Sequence, residues 1–213
     1  MRIEKQLEKF ENLLIPHSAI VSMLKGYKRP NDKISSLIKS GEIIKVKNGF
    51  YVLAQGNRVE QLSLPLIANA LSGPSYVSLD YALSLYGLIP EGVFEITSVT
   101  TSRSKKFDTQ IGLFSYSYSK PELYEIGVVQ QSTSGNKNFL IASPEKALCD
   151  KLILTKNLGV NSINSMESFI VDDMRVDTDY FADFDISIIK QCVEVGYKTT
   201  LLKLFCKVVE KFK

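Results

Sequence analysis

The chain is poor in the residues that carry most enzyme chemistry. Among its 213 residues there are one histidine, three cysteines and no tryptophan. A lone histidine with no cysteine motif beside it argues against the common zinc ligand sets and against a His-based triad. Cys149, Cys192 and Cys206 are too far apart for a zinc knuckle or a C-x-x-C redox pair, and each sits among apolar neighbours. They read as small buried hydrophobes in a reducing compartment. Neither phosphate-binding fingerprint, G-x-x-x-x-G-K-[ST] or G-x-G-x-x-G, occurs. No apolar run approaches the roughly 18–20 residues that span a bilayer. The opening MRIEKQLEKFENLL lacks the apolar core and small-residue cleavage site of a signal peptide. The expectation is a cytoplasmic protein with no membrane segment, no catalytic residues, no metal and no cofactor.

Charge is present but unevenly distributed. The net charge is +3. Residues 1–55 hold ten basic and five acidic side chains, so the remaining 158 residues sum to −2. Beyond Tyr27 the acids of this N-terminal part are only Asp32 and Glu42. A small basic unit on a slightly acidic body is the asymmetry expected when one end meets phosphate.

The same stretch has a readable order of elements. Ile3, Leu7, Phe10 and Leu14 share one face and predict a helix over 3–14. Ile15-Pro16-His17 breaks it, and Ser18 is placed to cap a second helix carrying Ile20, Val21 and Leu24. His17 aids that helix start or packs on the surface. After Gly26 and a Tyr27-Lys28-Arg29-Pro30 connection, Asn31 or Asp32 opens a third helix. Its apolar face is Ile34, Leu37 and Ile38, and Gly41 stops it. A strand over 42–47, the hairpin pair Asn48-Gly49 and a returning strand over 50–53 follow. Helix, helix, turn, helix, hairpin is the order of a winged helix-turn-helix. In that motif the second helix of the pair enters the major groove. The candidate DNA contacts are therefore Asp32, Lys33, Ser35, Ser36, Lys39 and Ser40 on the helix. Lys28 and Arg29 precede it, and Lys45, Lys47 and Asn48 lie on the hairpin. The competing reading is a protein-binding module with ordinary solvated lysines. Lysines at both helix and hairpin, with few acids nearby, favour DNA.

From about residue 57 the pattern becomes mixed. Helices are predicted over 61–72, 78–86, 143–153, 162–172, 184–195 and 198–212, and a helical turn near 120–124. Strands are predicted over 95–101, 112–118, 127–131 and 138–141, with a polar loop at 132–136. Phe114, Tyr116 and Tyr118 alternate with serines, which suggests an antiparallel sheet with one open face. The expected architecture is α+β: a winged helix-turn-helix over 1–56, then a larger mixed domain over 57–213 with an antiparallel sheet and C-terminal helices. The aspartates between 172 and 185 form an acidic stretch. It lacks the flanking motifs of a nucleotidyltransferase or nuclease and reads as a surface loop or a patch for a basic partner. A nuclease-like enzyme remains a rival reading, but it needs clustered acids with a lysine on adjacent strands.

Three blocks of this body carry a resemblance. They are Tyr76-Val77-Ser78 running on to Gly87-Leu88-Ile89-Pro90-Glu91, then Thr97-Ser98-Val99-Thr100-Thr101 with Arg103, and Ala142-Ser143-Pro144-Glu145-Lys146-Ala147-Leu148 with Asp150. In order and spacing they resemble the AbiEi-type antitoxin family over most of residues 10–155. The resemblance implies a repressor that binds inverted repeats in its own promoter as monomer or homodimer. It also implies an antitoxin against a nucleotidyltransferase-like toxin in a type IV system; a regulator without a toxin is the alternative. The polar block residues Tyr76, Ser78, Thr97, Thr100, Arg103, Glu145 and Lys146 are the candidate antitoxin surface. Six of the seven have a plainer reading: Ser78 as a helix cap, Thr97 and Thr100 as strand formers, Arg103 as a partner of Glu91 or Glu95, and Glu145 and Lys146 as a solvated helix start.

Overall fold

The computed structural model describes residues 3–57, 61–132 and 137–213. The fold is mixed α and β, with one sheet of three strands and one of six. Among the described residues no helix is long and apolar enough to cross a membrane.

The N-terminal part opens with α1 (Ile3–Leu7) and a 3-10 turn over Glu8–Phe10. The helix predicted over 3–14 ends early, with Asn12 turning left-handed at φ 60°. Asparagine tolerates that region better than most residues. Ile15 and Pro16 then form a short strand, β1, against Tyr51 and Phe50. Because α2 (His17–Met23) starts directly on Pro16, Ser18 is not its cap. The third helix, α3 (Pro30–Lys39), has no side-chain cap either. Proline fills its first position, where a missing N–H costs nothing, and Asn31 and Asp32 lie inside the first turn. Gly41, at φ 72°, closes α3 through bonds from Gly41 N to Ile38 O (3.1 Å) and Glu42 N to Leu37 O (2.9 Å). Strands β2 (Ile43–Lys47) and β3 (Phe50–Leu53) flank the Asn48-Gly49 turn, with Gly49 at φ 82°. The small sheet runs β1-β3-β2.

After a 3-10 turn over Gln55–Asn57, the body begins with α4 (Leu64–Leu71), shorter than the 61–72 expected. Then come β4 (Ser75–Val77), α5 (Leu79–Leu85), β5 (Ile96–Thr100), β6 (Lys105–Thr109), β7 (Gly112–Tyr118), α6 (Pro121–Tyr124), β8 (Val128–Ser132) and β9 (Asn138–Ala142). Helices α7 (Pro144–Leu154), α8 (Ile163–Ser168), α9 (Ile186–Glu194) and α10 (Thr199–Phe212) follow. A π turn extends α8 over Phe169–Asp173, and a 3-10 turn covers Thr178–Asp183. Of the loop expected at 132–136, Ser132 ends β8 and the rest lies outside the described residues.

The large sheet runs β6-β7-β5-β4-β9-β8. It is mixed, not antiparallel: β4 pairs with β9 and β5 with β7 in parallel, and the other neighbours are antiparallel. The short strands β4 and β6 lack a clean alternation and were not legible in the sequence. By inserting between β5 and β6, β7 buries Phe114, Ser115 and Tyr116 together, while Tyr118 stays exposed.

Two apolar cores result. The smaller joins Ile3, Leu7, Ile15, Ile20, Leu24, Ile34, Leu37, Ile43, Tyr51 and Leu53. The larger fills the body and also takes in Val46 and Val52 from the hairpin. The hairpin thus faces both cores, and its outer side docks on the body. Ile38, expected inside, lies at the surface.

Helix α7 is enclosed by α5, α9, α10 and the sheet. The backbone of Gly127 comes very close to its entry. Gly127, at φ 62°, offers a carbonyl to Ser143 N at 2.7 Å. A Cβ there would stand 2.8 Å from Lys146 Cβ and 2.9 Å from Ile188 Cγ2. Gly127→Ala should therefore cost about 2–4 kcal/mol, through left-handed strain and overpacking. Urea denaturation would check this, and an unshifted midpoint would contradict it.

Candidate nucleic-acid interface

On α3 the buried residues are Ile34 and Leu37, which pack on the small core. The 3.6-residue period then turns Asp32, Ser35, Ser36, Lys39 and Ser40 outward, and all five are exposed; Lys33 is half-buried on the flank. Lys28 and Arg29 are exposed in the connection before the helix, and Lys45 and Asn48 on the hairpin. Arg29 leans on Asp32 at 3.7 Å, a fully solvated pair of little energetic weight. Ser40 uses its hydroxyl locally, donating to Glu42 Oε1 at 2.8 Å and Leu37 O at 3.2 Å. Lys28, Lys39 and Lys45 carry no ion pair among the described residues.

Lys47 leaves the expected set. Its ammonium donates to Leu71 O at the C-terminal end of α4 (2.5 Å). It also lies over the Phe50 and Phe107 rings, at 4.6 and 5.1 Å from their centroids. A helix C-terminus and two ring faces are all partners for a cation. Burial, and secondarily the charge of Lys105, holds the Lys47 pKa below its ordinary value. This lysine fastens the hairpin to the body. Sequence alone placed it on an exposed tip, because nothing local marks the body as its neighbour.

The residues taken as an antitoxin surface prove mostly interior. Tyr76 and Ser78 both donate to Asp150 Oδ2, at 3.0 and 2.8 Å, and Lys146 donates to Asp150 Oδ1. Lys146 and Asp150 are 0% and 1% exposed, four residues apart on α7. Lys146 Nζ also lies 5.5 Å from the Tyr76 ring centroid. Glu145 is buried and accepts from Asp185 N at 2.7 Å, joining the starts of α7 and α9. Thr100 is buried and donates to Pro74 O at 2.7 Å.

Ser78 stands at the cap position of α5, but its hydroxyl is committed to Asp150. Thr97 takes over that end of the helix, accepting from Tyr81 N at 3.1 Å and donating to Ser78 O at 2.5 Å. Of the seven residues, only Arg103 is fully exposed and Thr97 half-exposed. Arg103 pairs with neither expected acid: Glu91 meets Arg175, and Glu95 meets Lys106 at 3.3 Å.

The first and third sequence blocks therefore meet at one buried carboxylate, and the second is tied to the first where Thr97 donates to Ser78 O. The detectable signal was a lysine and an aspartate at i and i+4 on the helix that Ser143-Pro144 opens. In the same layer Cys149 and Cys192 face each other from α7 and α9. The hydrogen bond between the two thiols raises the Cys149 pKa, as burial also does, and lowers that of Cys192. The third thiol, Cys206, is also free and buried. Of the acidic stretch, Asp177 and Asp185 cap the following turn and helix through Asp179 N and Ser187 N. Among the described residues no three His, Cys, Asp or Glu side chains are grouped as a metal ion would need.

No family model matches the chain, and no curated protein matches it either.

Removing Asp150 would leave the Lys146 ammonium buried and unpaired. Asp150→Ala should cost about 3–5 kcal/mol in denaturant unfolding, whereas Lys146→Met with Asp150→Leu should recover most of it. If the double variant were no better than the single, the charge pair would not be the cause.

The buried tyrosines give a second expectation. Burial pushes Tyr86 up to about 12. Tyr76 and Tyr116 are raised further by the same cause, Tyr76 also by Asp150. A folded pKa above the unfolded one contributes stability that is complete below about pH 10 and lost as pH rises through the folded value. Stability measured from pH 9 to 12 should fall steadily, and a flat profile would contradict the assignment.

Proposed function

We propose that residues 1–56 form a winged helix-turn-helix that binds duplex DNA, and that the chain is a non-enzymatic transcriptional repressor acting on its own promoter. One observation carries this. A helix pair and a hairpin share one apolar core, and Lys28, Lys39 and Lys45 stand exposed on the leading turn, the helix and the hairpin, with no ion pair among the described residues. The strand β1, laid beside β3, also suits a winged helix. Serines at 35 and 36 on the outer face of α3 allow a base edge or phosphate to come close.

The antitoxin half of the proposal has a different support: the resemblance of the three blocks to AbiEi-type antitoxins. Because most of their polar residues are interior, the blocks support a shared scaffold. A toxin-countering surface would lie elsewhere on the body. The partner on this reading is a nucleotidyltransferase-like toxin, encoded by an adjacent gene.

Lys28→Ala with Lys39→Ala should weaken binding to a duplex of the chain's own promoter about tenfold at 100 mM salt. It should also flatten the dependence of log K on log salt by about 1.8, since every phosphate left without its lysine takes about 0.9 from the slope. A gel-shift titration reads both, and unchanged affinity and slope would refute the interface. The same variant should still protect cells co-expressing the adjacent toxin.

A further inference from the structure

The two edges of the large sheet differ in kind. The sheet ends in β6 on one side and in β8 on the other. Strand β6 carries Lys105, Lys106 and Asp108, and charges of this sort keep an edge from pairing with another chain. Strand β8 reads Val128-Val129-Gln130-Gln131-Ser132, with no charge and no proline. Its inner side is taken by β9, in register from Val128 opposite Ala142 to Ser132 opposite Asn138. Which groups face the free side follows from Leu140. That residue turns its main chain away from β8: its N–H donates to Asn69 Oδ1 at 2.6 Å, and its carbonyl accepts from Asn69 Nδ2 at 3.2 Å. Gln130 and Leu140 are therefore opposite one another without exchanging bonds, and in an antiparallel ladder such pairs alternate with bonded ones. Val129 and Gln131 spend their N–H and C=O groups on β9. Val128, Gln130 and Ser132 point theirs outward, and none of the three has a main-chain partner there among the described residues. Gln130 and Ser132 are exposed, and Val128 is half-buried.

We propose that β8 pairs antiparallel with β8 of a second copy of this chain, about a twofold axis at Gln130, so that two six-stranded sheets join into one. The outward groups have the spacing for it. Gln130 meets its own counterpart, and Val128 and Ser132 meet each other in both directions. Each such pair exchanges two main-chain bonds, and the two Gln130 amides lie side by side. Charge selects the occupant. In an isologous contact each surface meets itself, so a charged strand would oppose like with like. Strand β8 has no charge to oppose, whereas β6 has. Pairing uses both free β8 edges and leaves the lysine-bearing β6 outermost, so growth stops at two. One pair of short strands is a small contact beside a standard interface of about 1,600 Å², so the association is weak and depends on concentration. The inference does not rest on the DNA-binding reading, although a twofold pair has the symmetry of paired half-sites.

The test is sedimentation velocity of the full chain without DNA, over a range from about 1 µM to about 300 µM that suits a weak contact. The wild-type chain should pass from monomer to dimer and no further. Gln130→Lys and Gln130→Glu each set like charges across the axis and leave the β8–β9 ladder intact. Each alone should move the transition to a concentration about five- to tenfold higher, with an unchanged thermal midpoint. An equal mixture of the two should return it to the wild-type value or below, because a lysine then faces a glutamate. A wild-type chain that stays monomeric throughout, or that assembles beyond two, would overturn the proposal. So would a dimer that both variants leave unchanged, or a mixture no better than either variant alone. None of these outcomes touches DNA binding, which the Lys28→Ala/Lys39→Ala titration reads separately.

Discussion

A charge removed from water must find a partner or cost several kcal/mol, and in this chain that constraint falls on Lys146 and Asp150. Both are fully buried on α7, the helix enclosed on nearly every side. Asp150 takes the lysine on one oxygen and the hydroxyls of Tyr76 and Ser78 on the other. Those two residues bracket Val77 at the end of β4, where the strand hands over to α5. The carboxylate therefore fixes α7 against the sheet and sets the β4–α5 corner. It also draws the Ser78 hydroxyl away from its cap position, which Thr97 then covers from β5. Several features that look separate along the chain are consequences of this one satisfied pair.

A second cation orders the other end of the molecule. Lys47 joins the hairpin to the end of α4 and to the aromatic face of β6. With Val46 and Val52 already in the body's core, the hairpin belongs to both parts. Helix α3 is thus held at a defined position relative to the large sheet. In the proposed regulator, promoter binding and the state of the body would be mechanically connected by the hairpin rather than by a loose tether.

Much of the local structure was legible in the residues. Gly41 and Asn48-Gly49 announced their turns through left-handed backbone that glycine adopts without strain. Ser143-Pro144 announced the start of α7, and the Ser143 hydroxyl receives Lys146 N at 3.4 Å. Misreadings arose where a neighbour distant in sequence overrode a local preference. Leu14 and Phe10 fitted a longer first helix, but β3 recruits Ile15 and Pro16 as a strand. Ser78 had the form of a cap, and Asp150 lies 72 residues away from it. Strand β4 has only three residues and β6 carries a single apolar side chain, Phe107, so neither shows a period, and their ladders define them.

The sequence by itself determined the three helices and the hairpin of the first 55 residues and the charge asymmetry. These depend on spacing and on residue type, which are local. The tertiary structure alone decided the parallel pairing within the large sheet, the meeting of the first and third motif blocks at one buried carboxylate, and the removal of Lys47 from the exposed set. Each of these is a long-range competition for a polar partner. A lysine reads the same on paper whether it ends in water or against a carbonyl 24 residues on, and only the packed chain decides which.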